Sequence, residues 1–304
     1  MSRSVSCLPS QRGLGAAVER KCAAVRRGNR GGGLVTEEQR ADFERDGFLV
    51  VPGALPPEMV ERLTAVVDRL HADGMARTGL TKPGTWDLRN CVAHDDLFLD
   101  LLDWPATFPL VVELLNWNIH LVTSHLILRV PSPPGTDELW KATDWHRDGG
   151  TSPQEMQEPH PRLIVKVAYW LTDLSEPGRG GIRLVPGSHR ITGRPAQAPG
   201  APDPYGAIEL RARPGDAVLF EQRTWHAVGP NRSGLTRKGL FFGYGYRWLR
   251  PMDYMTMPRE LLERVSPVRR QLLGDAATQL GYYLPTDADV PLRAWWRERA
   301  TAGE

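Results

Sequence analysis

In the stretch DWHRDGG, residues 144–150, a histidine and an aspartate stand two positions apart. In extended chain the side chains at i and i+2 point to the same side, so His146 and Asp148 face one way and Arg147 the other. Each can give an electron pair to a divalent cation, and a third donor on a neighbouring strand would complete a set. His226, in GDAVLFEQRTWHAVGPNRSG and eighty positions on, is suited to be that donor. Two imidazoles and one carboxylate on one face of a metal leave three adjacent positions open, the arrangement of non-haem iron(II) oxygenases. No thiolate is at hand to favour zinc. Arg237 opens the strand-like RKGLFFGYGY eleven residues after His226. Its guanidinium could grip a carboxylate with two parallel hydrogen bonds, where a lysine offers a point charge.

A His-x-Asp pair alone is a weak signal, because the chain holds a second one, His94 and Asp96 in AHDDLFLDLL. The aspartates there read as helix caps. His71 falls at a helix end, His120 and His125 in an apolar strand, His160 in a proline-rich loop and His189 in a turn, all structural or solvated positions. Two other uses of the triad stay open. A zinc hydrolase could employ it with a bound water, but would want a general base that the sequence does not reveal. A binding protein without catalysis would tolerate the loss of a ligand, yet all three are present.

The elements that must position these residues are legible in outline. Thr36 and Gln39 form a capping-box signature for a helix that stops at Gly47, and FLVV after it has the composition of a strand. A second helix starts at Pro56 and Pro57, repeats Met59, Val60, Leu63, Val66, Val67 and Leu70 at helical spacing, and is predicted to end at Gly74. DDLFLDLLDW and FPLVVELLNW read as two more helices. From residue 119 short β-rich runs follow one another with Gly and Pro between them and no helices, which predicts an antiparallel sandwich or barrel. Helical pattern returns in PRELLERVSPVRRQLLG and VPLRAWWRERA. The fold class is therefore mainly β with flanking helices. On RLIVKVAYWL, alternation places Arg162, Ile164, Lys166, Ala168 and Trp170 on one face and Leu163, Val165, Val167, Tyr169 and Leu171 on the other, and one face must line the interior.

Composition narrows the function classes. With 304 residues, 41% of them hydrophobic, the chain can bury a sizeable core. No apolar run of about 18 residues predicts a membrane span, and a net charge of +2 gives no reason to expect nucleic acid. Residues 1–33 hold seven Lys or Arg against Glu19 and six glycines, which reads as a disordered basic tail before one folded domain over 34–304. A transit peptide is the alternative, opposed by Glu19, the RGGGL run and the lack of an amphipathic face. No apolar h-region suggests a secretory signal. Cys7 and Cys22 lie in the tail, leaving Cys91 alone in the folded part and predicting a reducing, cytoplasmic setting. Oligomeric state is not legible.

Taken together, DGFLVVPGAL, WHRD, GGIRLVPGSHR and RPGDAVLFEQRTWHAVGPNRSGLTRKGLFFGY resemble the phytanoyl-CoA dioxygenase family of Fe(II)- and 2-oxoglutarate-dependent oxygenases over most of residues 34–250. The resemblance implies a double-stranded β-helix, a jelly-roll variant, with His146, Asp148 and His226 as catalytic metal ligands. It also implies Arg237 against the distal carboxylate of 2-oxoglutarate. Dioxygen would be the oxidant, succinate and CO2 the coproducts, and an unactivated C–H bond of a small molecule the target. An aspartate at 148 implies hydroxylation, desaturation or ring formation over halogenation, since related halogenases carry a small residue there. The chain departs from the family where many members have a hydroxyl two positions after the distal histidine, here Val228, and where some have threonine, here Ile182. Further help for 2-oxoglutarate is expected from Arg129 or from the RLIVKVAYWL strand, with Trp170 included. GGTSPQEMQEPHPR, YRWLRPMDYM and LRAWWRERA are lid and pocket candidates. The chain ends TAGE, without a Ser-Lys-Leu address, so phytanoyl-CoA itself is not implied, and secondary metabolism is the expectation.

Overall fold

The computed structural model describes residues 36–82, 84–132, 145–148 and 158–302. The tail of residues 1–33 and most of GGTSPQEMQEPHPR lie outside these described residues. Helix α1 (Glu37–Asp46) starts with the capping box expected, since Thr36 Oγ1 accepts from Gln39 N–H at 3.1 Å and Gln39 Oε1 accepts from Thr36 N–H at 3.0 Å. It ends at Gly47, whose φ of 80° suits glycine, and strand β1 (Phe48–Val51) follows. A Cβ at Gly47 would lie 2.4 Å from both His189 Nδ1 and Thr224 Oγ1. The missing side chain thus lets the end of α1 rest on the turn that leads to His226.

Helix α2 (Pro57–Thr78) departs from expectation by running through Gly74 to a stop at Gly79. A Cβ at Gly74 would meet the Trp86 ring at 2.3 Å, so this glycine serves close packing and not termination. Strand β2 (Thr85–Arg89) precedes a short 3-10 helix at Asp96–Leu101 in place of the α-helix expected, then helix α3 (Phe108–Leu115). The β-region follows as β3 (Ile119–Arg129), β4 (Ile164–Trp170), β5 (Ile182–Leu184), β6 (Ile208–Glu209), β7 (Ala217–Glu221), β8 (His226–Val228) and β9 (Arg237–Tyr246). Helices α4 (Arg259–Glu263), α5 (Pro267–Leu272) and α6 (Pro291–Ala302) close the chain.

Two antiparallel sheets carry the architecture, one ordered β1-β7-β4-β9-β3-β2 and the other β6-β5-β8. Residues of opposite parity along a strand serve two different cores, as a period of two requires. Val165, Val167 and Tyr169 of β4 join Leu219, Leu240, Phe242 and Tyr244 under the helices. Ala168 and Trp170 join Val218, Phe220, Phe241, Ile182 and Leu184 between the sheets. The inward face of β4 is therefore the one bearing Lys166, Ala168 and Trp170. Two facing antiparallel sheets with flanking helices form the double-stranded β-helix. Among the described residues no helix is long and apolar enough to cross a membrane.

Candidate active site

Backbone pairing brings the separated donors together. His146 and His226 exchange both backbone hydrogen bonds at 3.0 Å, and Asp148 N–H donates to the Gln222 carbonyl at 2.8 Å. The His-x-Asp segment is thus strapped alongside β8, and one donor atom from each of His146, Asp148 and His226 lies within 4.8 Å of the others. The His226 ring sits against the edge of Phe220, with centroids 5.0 Å apart, and donates Nδ1–H to the Thr224 carbonyl at 2.8 Å. That bond selects the tautomer whose Nε2 lone pair faces Asp148 Oδ2, 3.5 Å away. Burial lowers the His226 pKa to about 4 against the pull of Asp148, so the ring is neutral and ready to ligate. Burial alone would raise the Asp148 carboxyl, but the Lys166 ammonium leads the opposing pull and holds the group below the usual carboxylate range.

The group of residues fits a divalent cation. Asp148 Oδ2 is buried without a hydrogen-bond partner, although Lys166 Nζ lies 2.8 Å away as an ion-pair contact. An anionic oxygen within 4.8 Å of a donor nitrogen from each of two imidazoles is an arrangement that a metal would join.

The triad lies in a cavity of about 580 Å³ that Arg129, Lys166, Ile182, Val228 and Arg237 also line. Arg237, 1% exposed, has buried Nε and Nη1 atoms without hydrogen-bond partners. Its guanidinium lies 4.9 Å from the centroid of Trp170 and 5.7 Å from that of Phe241. Burial, with the neighbouring charge of Arg129, depresses its pKa to about 9, still protonated at neutral pH. A buried cation between aromatic faces and beside a second arginine calls for an anion, and a dicarboxylate reaching in from the metal fits that need.

Several expectations need adjustment. Trp170 does not line the cavity; it supports Arg237 from below, and Gly239 makes room for it, since a Cβ there would lie 2.9 Å from the Trp170 ring. Arg129 does line the cavity and is the cross-strand neighbour of Arg237. Ile182 and Val228 are register partners that form an apolar wall, so neither supplies a hydroxyl. Among the described residues of the C-terminal pocket candidates only Met252 reaches the cavity, whereas Trp295 packs on Phe108. Sequence reading missed His125, which is not a mere strand residue: it lines the cavity and donates Nε2–H to Asp87 Oδ2 at 3.0 Å. Alternation along β3 could have placed it on the face of Thr123 and Arg129, but Asp87 arrives from β2 through pairing alone.

The decoy pair behaves differently from the cap reading at one position. Asp95 caps the 3-10 helix by accepting from Leu97 N–H at 3.0 Å, while Asp96 forms an exposed ion pair with Arg264. Asp96→Ala is therefore expected to shift stability by no more than about 0.5 kcal/mol and to leave metal content and turnover unchanged. Loss of bound iron in that variant would place the metal at His94 and Asp96 instead.

Comparison with known proteins agrees with this geometry. Residues 43–239 match the phytanoyl-CoA dioxygenase family. The dioxygenase trt7 of Aspergillus terreus is 26% identical over 253 residues, covering 79% of this chain and 84% of the relative. The ectoine dioxygenase of Nocardia farcinica is 26% identical over 243 residues, covering 69% and 77%. Among solved structures, HygX from Streptomyces hygroscopicus, with nickel and 2-oxoglutarate bound, superposes with a TM-score of 0.56 at 20% identity, covering 72% of this chain and 90% of that one. With a family match over well over half its length and the double-stranded β-helix to carry it, the chain belongs to the phytanoyl-CoA dioxygenase family of iron(II)- and 2-oxoglutarate-dependent oxygenases.

Proposed function

We propose that the protein oxidises an unactivated C–H bond of a small molecule, by hydroxylation, desaturation or ring formation, in cytoplasmic secondary metabolism. His146, Asp148 and His226 hold iron(II), and Arg237, helped by Arg129, holds the distal carboxylate of 2-oxoglutarate. The observation that carries the reading is one cavity containing both a three-donor cluster and a buried guanidinium without hydrogen-bond partners at Nε and Nη1. With O2 and 2-oxoglutarate, iron in such a site supplies an oxidant able to take hydrogen from carbon, while 2-oxoglutarate leaves as succinate and CO2. The chain's own contribution is placement. Backbone straps fix the His-x-Asp segment, the Thr224 carbonyl orients His226, and aromatic faces keep water from Arg237. The cavity's volume is in the range of small-molecule sites.

A hydrolase reading gains a base from the Asp87–His125 pair, which shares the cavity. It leaves Arg237 without a role. Anaerobic addition of Fe(II) and then 2-oxoglutarate separates the two: the oxygenase gives the visible metal-to-ligand charge-transfer absorption of a chelated 2-oxo acid. No band, with iron demonstrably bound, would favour the hydrolase or a non-catalytic binder.

A further inference from the structure

Lys166 is the charged group nearest the triad that the chemistry above does not use. It projects from β4, between β7 and β9, and its stem crosses Gly243, the register partner where a Cβ would lie 3.5 Å from Lys166 Cγ and 2.6 Å from Thr123 Cγ2. A side chain there would press on Thr123 and only touch the Lys166 stem. The ammonium lies 2.8 Å from Asp148 Oδ2 and 6.0 Å from the centroid of the Phe220 ring, with the lysine side chain 15% exposed. Asp148 Oδ2 is also the oxygen 3.5 Å from His226 Nε2, so ammonium and metal would compete for one atom.

We propose that Lys166 makes metal and 2-oxoglutarate bind as a coupled pair. Its ammonium holds Asp148 while the metal is absent, and turns to the metal-proximal carboxylate of 2-oxoglutarate once both have entered. The inference rests on the iron and 2-oxoglutarate reading and deepens it.

Charge is the reason. Lys166, Arg129, Arg237, Lys82 and Arg89 line the same cavity as Asp148, and the other carboxylate of that lining, Asp87, is engaged by His125. A divalent cation entering alone adds positive charge beside a fixed ammonium, and like charges a few ångströms apart repel strongly away from bulk water. A dianion entering with the metal restores the balance. Coupling of this kind is reciprocal, so the metal must tighten 2-oxoglutarate by the factor with which 2-oxoglutarate tightens the metal.

The test uses Mn(II), a redox-quiet stand-in, titrated into the full chain with and without 2-oxoglutarate, in wild type, Lys166→Met and Lys166→Arg. In wild type 2-oxoglutarate is expected to tighten Mn(II) by about tenfold or more, on the order of one added charge interaction. Lys166→Met should bind Mn(II) alone about tenfold more tightly than wild type, and the enhancement by 2-oxoglutarate should fall about tenfold, to what chelation by itself supplies. Its Fe(II) charge-transfer band should also need more 2-oxoglutarate to reach half-intensity. Lys166→Arg, which keeps the charge, should retain most of the coupling. Should Lys166→Met fail to fold by its melting curve, Lys166→Gln carries the same measurement. A coupling factor equal to that of wild type in the neutral variant overturns the proposal, whatever the metal affinity. If instead wild type binds no metal, or binds metal without responding to 2-oxoglutarate, it is the oxygenase reading that fails.

Discussion

Asp148→Ala is expected to yield a folded protein that loses iron affinity by more than 100-fold and shows no measurable oxidation of substrate. Changing a residue that merely supports a ligand costs 10–100-fold in many metal sites, and Asp148 is proposed as a ligand itself. Its loss removes the site's anionic donor and leaves two imidazoles beside the Lys166 ammonium, 2.8 Å from where the carboxylate had been. The fold has less at stake. The Asp148 side chain, 14% exposed, lies on the cavity wall, and the ammonium it abandons keeps access to that cavity. An unpaired but hydratable charge costs about 1–3 kcal/mol, which a domain of ordinary stability survives. Metal content after dialysis, a thermal melt and succinate formation make the comparison. Retained iron with near wild-type turnover would remove Asp148 from the metal site.

Arg237→Ala tests the cosubstrate end of the cavity and should lower 2-oxoglutarate affinity by tens to thousands of times. The guanidinium is 1% exposed and flanked by Trp170 and Phe241, so a carboxylate bound to it would be shielded from water. Removing one partner of such a pair costs about 2–5 kcal/mol, and each 1.4 kcal/mol is about a factor of ten. Arg237→Lys should recover part of the loss, because one ammonium cannot reproduce two parallel hydrogen bonds and packs less well between aromatic faces. Mn(II) affinity in the absence of 2-oxoglutarate should barely move, since Arg237 is not among the three donors. Unchanged 2-oxoglutarate affinity in Arg237→Ala would take Arg237 out of the site and shift attention to Arg129, its register partner.

What the amino-acid sequence determined by itself was whatever local spacing can dictate. The i, i+2 relation of His146 and Asp148, the capping box at Thr36 and Gln39, the left-handed stop at Gly47 and the alternation of β4 are contained within a few residues. Backbone periodicity and terminal hydrogen bonds set them before any long-range contact forms. The choice of His226 as third donor needed the chemistry of the set and not its position, and the fold then brought it within 4.8 Å. Only the tertiary structure decided what depended on register between distant strands. Arg129 stands beside Arg237 as its register partner, Asp87 meets His125 on the diagonal of the β2–β3 pairing, and Lys166 meets Asp148 because the His-x-Asp segment is strapped to the chain at Gln222 and His226. A slip of one residue would turn each of these side chains to the opposite face. Gly74 teaches the same point from the helix: locally it reads as a stop, yet the helix continues because Trp86, from β2, fills the space that a side chain would have taken.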